Sequence, residues 1–159
     1  MATINLSLLR LIMQRLDLAL PYRFGAKLPL AASPEDLARR QPPVDCSGFT
    51  RYLVYHASRH SLLLPDGSVA QADFCRRTGY HRVTAYSHLL LPAVRADSSR
   101  LFLCFRPRAG SRANHVWLVS RGYTLESRGG LGVCAFPAAS LGLHSDIQVY
   151  ELPTGRMTT

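Results

Sequence analysis

Two apolar runs in the C-terminal half, HVWLVS (115–120) and YTLES (123–127), are joined by only two residues, Arg121-Gly122. A link that short, holding a glycine, closes an antiparallel hairpin. LFLCF (101–105) and DIQVYEL (146–152) have the composition of two further strands, bounded by turn residues. The N-terminal half follows a different period. Leu9, Ile12, Met13, Leu16 and Leu20 recur at helical spacing with Arg10, Gln14, Arg15 and Asp17 between them, predicting an amphipathic helix over residues 4–19 that Pro21 ends. Phe49, Leu53 and Ala57, with Val54 beside them, predict a second helix capped by Asp45, and a third runs from Val69 to Arg77 after the turn Pro65-Asp66-Gly67. Residues 21–45, rich in proline and small residues, read as a loop with one short helical turn. Loops of that length in compact domains are often functional. Helices first and a strand meander after give an α+β fold, with N-terminal helices packed on one face of an antiparallel sheet. With 159 residues and no internal repeat, the chain is expected to form one domain over residues 1–159.

Charge narrows the partners. Nineteen Lys plus Arg against ten Asp plus Glu give +9, nearly all of it arginine, a surface drawn to nucleic acid, acidic lipid or a bacterial cell wall. The arginines are scattered and match no recognised binding motif, so no nucleic-acid partner is expected. No apolar stretch approaches the roughly 18 residues a membrane span needs. Arg10, Arg15 and Asp17 break the only apolar segment near the start, so neither a span nor a classical secretion signal is expected. Cys46, Cys75, Cys104 and Cys134 form no C-x-x-C pair, and no histidine pair has zinc-finger spacing, which argues against a metal site. A domain able to build a core does not need a disulfide framework, so Cys75, Cys104 and Cys134 are expected to be small buried apolar residues.

Cys46 differs by its position. In DCSGF (45–49) it opens a helix, where unpaired N–H groups and the helix dipole stabilise an anion and lower a thiol pKa. Ser47 and Gly48 leave the helix start uncrowded, so a carbonyl could approach the sulfur and backbone N–H groups could form half of an oxyanion hole. A nucleophilic cysteine needs a base. His115, opening an apolar strand, is the expected one; His56 and His60 sit within or just after the Cys46 helix and face elsewhere, and His81, His88 and His144 lack a clear strand frame. Glu126, on the strand paired with that of His115, lies near the same end of the hairpin and is expected to orient the imidazole. A salt bridge to Arg128 or Arg121 is the alternative role for that carboxylate.

These residues, with Pro21-Tyr22-x-Phe24-Gly25 ahead of them and Gly129-Gly-x-Gly132-Val after, resemble the NlpC-type peptidoglycan peptidases of the papain superfamily, in order from about residue 4 to residue 152. The resemblance implies a papain-like fold in which Cys46 is nucleophile, His115 general base and Glu126 the orienting residue. It further implies that Tyr22 helps hold the oxyanion, and that Asp45 and Ser47 shape the helix start and the substrate subsite. Two departures stand out: Asp97-Ser-Ser-Arg100-Leu-Phe replaces the family's Pro-Gly-Asp-Leu strand, and the third catalytic position is more often His, Asn or Gln than Glu.

The implied activity is hydrolysis of an amide bond in peptidoglycan stem peptides, usually between D-glutamate and diaminopimelate, with no metal or organic cofactor. Two other readings remain open: an acyltransferase, transglutaminase or deamidase acting on protein, and a basic nucleic-acid-binding module. Small size without a wall-anchoring domain also resembles amidase toxins injected into rival bacteria, and phage-type lysis enzymes. That likeness implies synthesis in the cytoplasm, export by a non-classical route to act in the periplasm or cell wall, and an immunity protein or secretion machine as partner.

Overall fold

A computed structural model describes residues 1–16, 20–107, 114–141 and 146–155. Four helices come first: α1 (Leu6–Leu16), α2 (Pro34–Arg40), α3 (Cys46–Ala57) and α4 (Ser68–Thr78). A short strand β1 (Arg82–Val83) and helix α5 (Pro92–Ala96) lead into β2 (Phe102–Pro107), β3 (Asn114–Ser120), β4 (Tyr123–Arg128), β5 (Gly132–Cys134) and β6 (Gln148–Glu151). The six strands form one antiparallel sheet in the order β1-β6-β2-β3-β4-β5. The α+β class expected from the chain's two halves is what the structure has.

Arg121 and Gly122 both take positive φ, 53° and 76°, as the two central residues of a type I′ turn must. That turn sets Leu118 opposite Leu125 and Val119 opposite Thr124. Along its other edge β4 pairs with β5, Glu126 opposite Cys134, while pairing between β3 and β4 stops after residues 118–120 and 123–125. The two strands part there, and that gap receives the start of α3.

Helix α3 is buried along most of its length, with Phe49, Tyr52, Leu53, Val54 and Ala57 all inaccessible to solvent. With α1, whose Leu9, Ile12 and Leu16 face inward, it covers one side of the sheet through Leu103, Phe105, Val116, Leu118 and Tyr150. The N-terminal helices α1 and α3 thus pack on one face of the sheet as expected, and the opposite face is covered as well. Phe102, Cys104, Trp117, Val119 and Val149 make the second face apolar too, and Tyr86, Leu89 and Ala138 cover it, with Val94 of α5 beside them. The continuous run LFLCF is therefore a strand buried on both sides, not an alternating one.

The first helix is described from Leu6 to Leu16; the rest of its expected span, residues 17–19, lies outside the described residues. The predicted loop 21–45 carries the two-turn helix α2, started by Ser33, whose hydroxyl accepts from Asp36 N, and by Pro34. Cys75 and Cys104 are fully buried as expected, but Cys134, on an edge strand, is half-buried.

Candidate active site

Asp45 has extended backbone angles, and its carboxylate accepts from Gly48 N at 2.7 Å, which starts α3 with Cys46 as its first residue. Glycine fits closely at 48: a Cβ there would stand 3.0 Å from Asp45 Oδ1 and 3.1 Å from Ala26 O, tighter than ordinary contact. Lys27, the chain's one lysine, fixes this turn from outside. Its ammonium donates to both Asp45 oxygens, at 2.9 and 2.7 Å, and to Ser47 Oγ at 2.8 Å, matching three donors to three acceptors. From the inner side the buried Gln71 of α4 donates to the Ser47 carbonyl at 2.9 Å and accepts from Thr50.

The segment before Cys46 is bonded to both parted strands. Ser127 of β4 donates its hydroxyl proton to the Val44 carbonyl at 2.8 Å, and the backbone of Val116 on β3 hydrogen-bonds the Cys46 sulfur. The gap in the sheet thus places the sulfur beside His115. The imidazole Nε2 lies 3.0 Å from Glu126 Oε1, so the carboxylate accepts its N–H and assigns the tautomer. Nδ1 is buried and Nε2 is taken by Glu126, and the Cys46 thiol interacts with the ring. The ring also stacks on Trp117, with centroids 5.3 Å apart and planes 21° from parallel.

The electrostatics follow from this geometry. Burial by itself pushes the Cys46 pKa up; the hydrogen bond to His115, the bond from the Val116 backbone and the charge of His115 outweigh it, and the thiol is lowered below its ordinary value. Burial pulls His115 down, but Cys46 and Glu126 together raise it above the usual imidazole range. Glu126 is wholly buried, which opposes its ionisation, yet His115, Thr124 and Arg128 hold its carboxyl below the usual range. Each shift favours the same state: thiolate, imidazolium, carboxylate.

Glu126 bonds Arg128 as well as His115, since Arg128 Nε also donates to its Oε1 at 2.9 Å. Arg128 in turn lies over the Phe136 ring, 5.0 Å from its centroid. Tyr22 bridges Val44 two residues before Cys46 and is half-buried. Ser47 is 4% exposed, and its hydroxyl is engaged by Lys27 and Asp45. Of the other histidines, His56 is bonded through Nε2 to the Leu30 carbonyl at 2.8 Å and His60 stacks on Tyr55, both away from the sulfur. His81 and His88 line a separate cleft, and His144 lies outside the described residues.

A larger cleft of about 670 Å³ opens beside the imidazole, with His115 and Trp117 in its wall. Among the described residues no group of three or more His, Cys, Asp or Glu is placed to hold a metal ion, and no helix is long and apolar enough to cross a membrane. No protein-family model matches the chain, and no curated protein is detectably similar to it.

Lys27, Gln71, Trp117, Arg128 and the Val116 backbone were not singled out as site residues by sequence reasoning. Lys27 had a signal, as a lone lysine among arginines, but its partners lie 18 and 20 residues away. Gln71 had none.

Proposed function

We propose that this chain is a cysteine hydrolase of papain-like, NlpC-type architecture that cleaves an amide bond in peptidoglycan stem peptides. The observation that carries the chemistry is the buried set Cys46–His115–Glu126, with Cys46 opening α3 and His115 Nε2 3.0 Å from Glu126 Oε1, an arrangement that favours the charged, reactive state of each group. The substrate class rests on the resemblance of the DCSGF, YxFG and HV segments, and the basic surface is suited to an anionic wall.

In this mechanism the Cys46 thiolate adds to the scissile carbonyl, and the oxyanion forms against first-turn N–H groups of α3, with Tyr22 nearby. His115 gives its Nδ1 proton to the leaving amine as the C–N bond breaks, leaving a thioester on Cys46. Water then loses a proton to His115 and attacks the thioester, releasing the acid and restoring the thiolate–imidazolium pair. Glu126 keeps the ring in the useful tautomer throughout.

Digestion of purified sacculi, read by mass spectrometry, tests this. The wild-type chain is expected to release fragments with a new amine on diaminopimelate and a free D-glutamyl γ-carboxyl, and Cys46→Ala to release none. Intact sacculi, together with amine incorporation into or deamidation of protein glutamines, would replace hydrolysis of the wall by acyl transfer or deamidation on protein. In a bacterial host the chain is expected to be tolerated in the cytoplasm and lytic when fused to a cleavable secretion signal.

A further inference from the structure

We infer that the cleft beside His115 binds a free carboxylate on the leaving-group half of the substrate, and that Arg106 is the residue that binds it. This deepens the peptidase reading and rests on it.

Arg106 of β2 stands directly opposite His115 of β3 in the sheet register. Opposed residues of an antiparallel pair project to one face with Cβ atoms about 5 Å apart. Both side chains line the 670 Å³ cleft, whose size suits a ligand of a few residues. Glu126, which bonds the imidazole, is already shared between His115 and Arg128. Arg106 carries five N–H donors in a planar fork, so a partner inside the protein still leaves donors for a ligand carboxylate.

The side of the scissile bond follows from the chemistry. His115 must protonate the departing nitrogen, so the leaving-group half lies on the imidazole side of the sulfur, which is the side of the cleft. The cleft is not uniformly positive: Arg106 and Arg128 share its lining with Asp146. Arg128 is tied to Glu126, whereas Arg106 is not among the groups that shift Cys46 or His115, which makes it the separable one.

The probe is the tripeptide alanyl-γ-D-glutamyl-diaminopimelate, with the diaminopimelate carboxylates free or converted to carboxamides. Binding is measured by calorimetry on the Cys46→Ala chain, so that turnover does not intervene. The free acid is expected to bind at least about tenfold more tightly than the amide, the scale of one charge-assisted hydrogen bond. Arg106→Gln is expected to bring the ratio close to one. Arg106→Lys, which keeps the charge but loses the fork, should give an intermediate ratio and serves if the glutamine variant does not fold. Asp146→Asn should widen the preference, because it removes the opposing charge. Equal binding of both peptides, binding of neither, or a preference that survives Arg106→Gln overturns the inference. Turnover by the wild-type chain separates it from the peptidase reading. Cleavage of both peptides without preference removes the carboxylate site and leaves the peptidase; preferential binding without cleavage removes the peptidase and leaves the site.

Discussion

Cys46 and Cys75 are both buried helical thiols, yet their surroundings drive them in opposite directions. Cys75 lies near the C-terminal end of α4 among apolar neighbours, where burial alone acts and pushes its pKa up to about 12. Cys46 is the first residue of α3, 7% exposed, and meets the same opposition from burial, but His115 and the Val116 backbone overcome it. Helical position adds to the difference, since the dipole favours an anion at the start of a helix and disfavours one at its end. A buried cysteine is therefore inert by default, and reactivity has to be built by groups aimed at the sulfur.

The largest test of that contrast is His115→Ala. It removes the main group opposing burial, so iodoacetamide labelling of Cys46 at neutral pH should slow by about 10²-fold, toward the rate of Cys75, with turnover lost by several orders of magnitude. Unchanged labelling would break the comparison, because the helix start alone would then account for the thiolate.

Glu126→Gln comes next, with an expected loss in rate smaller than that of His115→Ala, since an amide oxygen still accepts from the ring. The sign of its pH effect is fixed. Turnover needs a thiolate, lost as pH falls through the lowered Cys46 value, and an imidazolium, lost as pH rises through the raised His115 value; the two limbs belong to the coupled pair. Removing the carboxylate lets the His115 value fall, so the alkaline limb of the rate profile should move to lower pH. Glu126 is itself held low, so its stabilising contribution is present above the ordinary carboxylate range and fades as pH falls through the lowered value. Thermal unfolding of the glutamine variant should accordingly vary less in acid than that of the parent.

Lys27→Met should act on the scaffold rather than the chemistry. It frees Asp45 and Ser47 and is expected to cost about 1 kcal/mol, seen as a fall of a few degrees in Tm, with Cys46 labelling changed less than about threefold. The smallest effect belongs to the other half of the comparison. Cys75→Ala should leave Cys46 labelling and turnover untouched and cost about 1 kcal/mol for the small void it opens.

The sequence revealed most about this site where spacing is local. Asp45, Cys46 and the helix they start are adjacent in the chain, and the two-residue link at Arg121-Gly122 carries the register that brings Glu126 near His115. What it concealed is non-local. The second partner of β4 is the three-residue β5, too short to show a period. The covered second face depends on short turns around Tyr86 and Ala138 whose packing no local pattern encodes. Gln71 looks like any polar helix residue until α4 is laid against α3. The charge excess, by contrast, gave no warning that Arg106 would stand across from His115.

The hydrogen bond from Val116 to the Cys46 sulfur joins the reacting atom to the main chain of the sheet. Of the two polar groups of the main chain only the N–H can donate, so the amide proton of Val116 senses the charge on sulfur directly. Its nuclear resonance should move as the thiol titrates, shift again when the sulfur is acylated and return when the thioester is hydrolysed. Each turnover would then be written into the chemical shift of one backbone amide, and the strand would become a built-in reporter of the covalent state of the sulfur that needs no label on the substrate.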